Sequence, residues 1–186
     1  MLTARTLAEA QVYVSLTTAS DTPVPATRPA PIEPGANLID GEDGWTLTST
    51  AGDIAIAYAS ERAARFIDSR FGLGVSELID AAQWAVVAAT YARLALEADM
   101  AYRGHPEEDR DAVELSWEFA VDAVVEALKF LPDDADEVPD VAVWSEFGQR
   151  ARAENPHLLT RAKLYDDLEY YQGTLEDFRA IYGEPS

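Results

Sequence analysis

Between Glu107 and Leu131 the chain holds neither proline nor glycine, and Val113, Trp117, Val121, Val124 and Leu128 return every three or four residues before Pro132 ends the run. An apolar stripe of this period requires an α-helix with one buried face, so the molecule must supply other helices to cover it. They are available. Ser76 stands before a segment whose Leu78, Ile79, Ala82, Val86, Ala89 and Leu94 share one face, and this predicts a helix from Ser76 to about Met100. Gly104-His105-Pro106 turns the chain between the two. A shorter helix is expected from about Val141 to Glu154, stopped by Asn155-Pro156, and His157 to Tyr182 gives one or two more around Gly173.

The N-terminal part reads differently. Thr6 to Leu16 puts Leu7, Ala10 and Val14 at helical spacing, with Thr3 or Thr6 as the N-cap. From Thr17 to Pro34 five prolines stand among small polar residues and break both helix and strand ladder. Gly44 to Thr50 then alternates with a strand's period, Ala51-Gly52-Asp53 supplies a turn, and Ile54 to Tyr58 returns as the second strand of a hairpin. Ala63 to Phe71 suits a strand or a short helix, and a third strand is expected. The fold class is therefore α+β, mostly α: a helical bundle with a small antiparallel β-sheet. A chain of 186 residues fits one domain, organised as a 1–16 helix, a 17–43 proline-rich connector, a 44–71 β element and a 76–182 helical part.

Hydrophobic residues at 48% and charged residues at 26% are ordinary globular usage, so the acidity is not that of a core-poor, disordered chain. Thirty-four acids against fourteen bases give a net charge of −20. A field of that sign repels phosphates and anionic lipid headgroups and favours basic partners, so neither nucleic acid nor membrane is expected to bind and a basic protein is. The charge is uneven: residues 1–75 carry nine acids and five bases, net −4, and residues 76–186 carry twenty-five and nine, net −16. There is no cysteine, which removes thiolate nucleophiles and sulfur-ligated zinc. The first residues lack a signal peptide's apolar core, and no run reaches the roughly eighteen apolar residues of a membrane span, so a cytoplasmic location is expected.

Two acidic patterns are candidate binding surfaces. Glu107, Asp111, Glu114, Glu118, Asp122 and Glu126 recur every three or four residues, within a band of about 120° on the long helix. Like charges at i, i+4 cost a helix about 0.2–0.5 kcal/mol per pair, so something must offset them. A basic partner would do so, and a solvated face screened by salt and helped by Arg103, Arg110 or Lys129 accounts for the pattern equally well. The second is Leu164 to Tyr171, where Asp166, Asp167 and Glu169 interleave with Tyr165, Tyr170 and Tyr171. Carboxylates beside flat rings imitate a nucleic-acid surface, as inhibitors of basic nucleases do; tyrosines packing the helix onto a core are the commoner use.

Catalytic constellations are absent from the sequence. It contains no G-x-S-x-G, S-x-x-K or P-loop, and Gly72-Leu73-Gly74 lacks the third glycine of a dinucleotide loop. Glu154 and His157 have di-iron spacing, but Pro156 interrupts the helix they would share. Asp133-Asp134-Ala135-Asp136-Glu137 begins like a calcium loop without its sixth-position glycine or closing glutamate. No cofactor or metal is expected. The reading these features favour is an acidic protein that binds and neutralises a basic protein. Its rival is a small cofactor-independent enzyme of secondary metabolism with Asp80 or Asp122 as the base.

Three stretches taken together resemble a known family. They are Thr6 to Tyr13, Ser76 to Trp84, and Ala127 to Pro132 with Glu137-Val138-Pro139 and Trp144. The family comprises small uncharacterised bacterial proteins with an N-terminal helix, a β element like a small zinc ribbon and a helical C-terminal half. The resemblance covers about two-thirds of the chain and implies that the β element here is a metal-free descendant, since the family's cysteine pairs are missing. It also implies an association with toxin–immunity gene neighbourhoods.

Overall fold

A computed structural model describes residues 1–18, 36–105 and 108–183. The proline-rich stretch up to Pro34 and the Pro106-Glu107 pair lie outside the described residues, apart from Thr17 and Thr18. The chain divides into two compact units, Met1–Asp80 and Ala81–Ser186.

The first unit is built on a four-stranded sheet: β1 (Leu2–Ala4), β2 (Asn37–Asp40), β3 (Gly44–Ser49) and β4 (Gly52–Ala57), in the order β1-β4-β3-β2. The hairpin expected from the alternating residues is β3–β4, with Leu47 opposite Ile54 and Trp45 opposite Ile56. Gly44 is required there, because a Cβ would stand 2.2 Å from the Ile56 carbonyl oxygen of the facing strand. The sheet is mixed rather than antiparallel, since β1 runs parallel to β4 with Leu2 beside Ile54 and Ala4 beside Ile56. Three residues show too little of a period-2 pattern to declare a strand.

Helix α1 (Leu7–Thr18) starts where Thr6 Oγ1 accepts the Glu9 backbone N–H at 3.1 Å, so Thr6 is the cap. Within this first turn Glu9 is buried, and its carboxylate accepts the Arg5 backbone N–H at 2.6 Å and two guanidinium N–H groups at 2.7 and 3.0 Å. The third strand expected over Ala63–Phe71 does not form. Its first residues belong to helix α2 (Tyr58–Phe66), which follows β4 directly and buries only Ala64. Phe66 is 91% exposed, and of the aromatics in that stretch only Phe71 reaches the core. The apolar residues that suited a strand are therefore mostly on the surface, and an i, i+4 pair between Glu61 and Arg65 fits the helix.

The second unit is the helical bundle: α3 (Ala81–Ala101), α4 (Arg110–Leu128), α5 (Glu146–Glu154) and α6 (Arg161–Tyr182), with a short 3-10 turn at Asp140–Ala142. Helix α4 lies between α3 and α6, and α3 also meets α5. Small residues on α3, among them Ala81, Ala85, Ala88, Ala92 and Ala95, are buried and let α4 approach closely. Larger side chains fill the remainder: Trp84 and Trp117 are fully buried, and the Tyr91 and Phe119 rings stack at 4.8 Å. Burying side chains of this size stabilises a fold by about 1.5–3 kcal/mol each before entropy is counted.

Helix boundaries differ from the sequence reading at several places, and the helix expected from about Val141 begins only at Glu146, capped by Ser145, after the 3-10 turn. Ser76 accepts the Leu78 and Ile79 N–H groups at 3.1 and 2.9 Å but caps only a turn, and α3 begins five residues later, at Ala81. Asp109 caps α4 by accepting from Ala112 at 3.0 Å, so the helix begins after the expected Glu107. The C-terminal segment is one helix that passes through Gly173. Among the described residues no helix is long and apolar enough to cross a membrane.

Candidate interaction surfaces

The acidic ladder on α4 meets its counter-charges inside the same unit. Arg179 on α6 donates from Nε to Glu114 at 2.5 Å and from Nη2 to Glu118 at 2.6 Å. Glu114 also takes Arg110 at 2.9 Å, one turn before it on α4. Further along, Glu126 is only 2% exposed and pairs with Lys129 at 2.5 Å. Burial works to lower the Arg179 pKa, and the hydrogen bonds and charges of Glu114 and Glu118 more than offset it, so the net direction is upward. The repulsion along α4 is thus relieved by this chain's own arginines and lysine. Asp111 is exposed at the start of the helix, Asp122 is half-buried, and Glu107 lies outside the described residues.

The tyrosine-rich segment is split between two faces of α6. Tyr171 is buried against Trp117, ring centroids 6.2 Å apart. Burial first, then the Asp167 carboxylate and Tyr170, push its phenol well above the ordinary tyrosine range. Asp167 is paired with Lys163 one turn earlier. On the outer side Tyr165 and Tyr170 are 50% and 53% exposed, with Asp166 and Glu169 exposed between them. Counting about 100° per residue, Tyr165, Asp166, Glu169, Tyr170, Gly173, Glu176 and Asp177 fall within an arc of about 140°. Nothing stands within 4 Å of where a Cβ on Gly173 would lie, so the middle of this stripe is open.

A third surface was not singled out from the sequence. The loop from Leu131 to Ser145 is tied to the start of α6 by Arg161, whose Nε donates to the Ala135 carbonyl at 2.9 Å and whose Nη2 donates to Pro132 and Asp133 carbonyls at 2.6 and 3.0 Å. Backbone bonds from Arg161 to Asp136 and from Val138 to Leu159 continue the attachment, and Glu137 bridges to Thr160. Beside the loop is an open groove of about 590 Å³, walled by Glu137, Asp140, Val143, Gln149, Arg152 and Ala153 among others. Arg152 lies 3.0 Å from Asp140 and 3.6 Å from Glu137. Neither Asp80 nor Asp122, the two carboxylates with a possible catalytic role, is on its wall.

Helix α5 ends at Glu154, so Glu154 and His157 do not share a helical face. Among the described residues no three His, Asp or Glu side chains come together as metal ligands. No known protein family, curated protein or solved structure matches this chain.

Proposed function

We propose that this protein binds and neutralises a basic protein partner, in the manner of an immunity protein holding its toxin. The observation that carries the reading is the outer stripe of α6: the carboxylates of Asp166, Glu169, Glu176 and Asp177 alternate with the half-exposed rings of Tyr165 and Tyr170. The unit's basic groups are largely engaged elsewhere. Arg110, Lys129, Lys163 and Arg179 sit on carboxylates of their own helices or of α4, Arg152 on Glu137 and Asp140, and Arg161 on backbone carbonyls. The excess negative charge therefore has few internal cations left to meet. Exposed carboxylates steer a basic partner and raise its rate of capture, and tyrosines give broad contact area with few rotatable bonds to freeze.

The test is co-expression with the product of the adjacent gene, followed by co-purification at low and high salt. Capture that weakens as salt rises, and that is lost in the Asp166→Asn, Glu169→Gln, Tyr170→Ser triple variant, is expected. Failure to retain any basic neighbour at low salt would sink the reading.

A further inference from the structure

We propose that Gly173 forms a notch on the outer stripe of α6 that receives an arginine side chain of the basic partner. This deepens the reading of a basic partner given above and rests on it. Glycine inside a helix is destabilising relative to alanine, because it loses more backbone freedom on folding and packs nothing in return. Gly173 stands near the middle of the 22-residue α6, and it is not among the glycines held at positive φ. No neighbour forbids a side chain there, since nothing lies within 4 Å of where its Cβ would be. Gly44 is the contrast, required by a carbonyl oxygen 2.2 Å from its Cβ position. Neither backbone geometry nor packing within the chain accounts for Gly173, which points to a contact made with another molecule.

The surroundings specify the occupant. On a helix the surface neighbours of a residue are those three and four positions away, which for Gly173 are Glu169, Tyr170, Glu176 and Asp177. All four are exposed, and among the described residues none of the three carboxylates has an ion pair. The basic residues of α6 are engaged elsewhere: Arg161 on backbone carbonyls, Lys163 on Asp167 and Arg179 on Glu114 and Glu118 of α4. Three unpaired carboxylates and a ring around a missing side chain suit a guanidinium. Its fork of N–H groups takes the carboxylates, its plane lies on the ring, and its stem fills the space that a side chain on Gly173 would occupy. An ammonium meets the charge without the plane. The Tyr170 ring stands edge-on to Trp117, centroids 6.3 Å apart, so it is in place before the partner arrives and loses little entropy on binding.

The experiment uses the full chain, labelled with ¹⁵N, with hexa-arginine and hexa-lysine peptides as probes of equal charge. Hexa-arginine is expected to bind about threefold more tightly, the size of a cation–ring contact at an exposed site, with its largest amide shifts between Glu169 and Asp177. Gly173→Leu should erase that preference and weaken capture of the gene neighbour about tenfold, as loss of an anchor implies. Gly173→Ala should raise the Tm of the protein alone by about 2–4 °C, since the helix gains and no internal contact is lost. Equal affinity of the two peptides, largest shifts elsewhere on the chain, or a preference that survives in Gly173→Leu would overturn the proposal. A lower Tm in Gly173→Ala would overturn it too, because the glycine would then serve the fold. So would concentration-dependent dimerisation abolished by Gly173→Leu, which would give the notch to a second copy of the chain. Equal capture of the neighbour by parent and Gly173→Leu would overturn the notch and leave the basic-partner reading standing, whereas capture of no neighbour at low salt would sink both.

Discussion

Arg179 and Glu114, sixty-five residues apart, meet at 2.5 Å, and through this contact the last helix brings a counter-charge to the acidic face of α4. Spacing along α4 shows a helix loaded with like charges. The guanidinium that relieves them comes from the far end of the sequence, with a second bond to Glu118. Arg179→Ala should lower stability by about 1 kcal/mol at low ionic strength, the upper range for partly exposed pairs. The loss should shrink in 1 M salt, where screening acts within about 3 Å. Urea unfolding in both salts measures it, and equal losses would assign the effect to packing of the arginine's stem instead.

Arg161 should matter more than its partly exposed position indicates. It holds three backbone carbonyls of the acidic loop, and hydrogen bonds from a charged donor contribute about 1.5–3 kcal/mol. Arg161→Ala is expected to cost about 2 kcal/mol and to speed amide exchange at Val138. Arg161→Lys should recover less than half, since an ammonium cannot reproduce the planar fork. Unchanged exchange at Val138 would show that the bond to Leu159 holds the loop without the arginine.

Tyr171 should leave an alkaline signature. Its pKa is raised in the folded state, so the group's contribution is fully present below the ordinary tyrosine value of about 10 and is lost as pH rises from there toward the folded value. An absorbance titration should show a late tyrosine step, and Tyr171→Phe should abolish it. The variant should also lose less stability than the parent between about pH 10 and 12. A titration in which Tyr171→Phe removes an early step contradicts the burial of this phenol.

In the first unit, Glu9→Gln should be the most damaging single change of a charged residue. The carboxylate is buried and takes three hydrogen bonds from Arg5, and removing one member of such a pair costs about 3–5 kcal/mol. Because the penalty comes from the stranded partner, Arg5→Met combined with Glu9→Leu should be closer to the parent than Glu9→Gln alone. Thermal unfolding of the three proteins decides it, and a double variant worse than the single one would place the effect in lost bonds.

The candidate surfaces show how far local pattern reaches. Helical spacing puts Asp166, Glu169 and Tyr170 on one face, because spacing fixes which residues share a face and not which face is buried. Local pattern offered Arg110 and Lys129 as counter-charges, and they pair with Glu114 and Glu126, but it could not tell that Arg179 reaches Glu114 and Glu118 from another helix. Nor could it separate Tyr170 from its neighbour Tyr171, one half-exposed and one against Trp117. The loop that Arg161 pins gave no signal beyond its acidity, because a guanidinium bound to carbonyls leaves no trace in the spacing of side chains.

The sequence alone determined the helical class, the β3–β4 hairpin, the N-terminal helix and the concentration of negative charge in the C-terminal part. Each of these is a property of residues within a few positions of one another, where periodicity, caps and prolines act. The tertiary structure alone decided that β1 joins the sheet in parallel, that Ala63 to Phe66 is helical, and that Arg179 of α6 pairs with Glu114 and Glu118 of the ladder on α4. Those outcomes depend on contacts between segments far apart in the chain, and burial, which local sequence does not encode, chooses among the conformations that local preference allows.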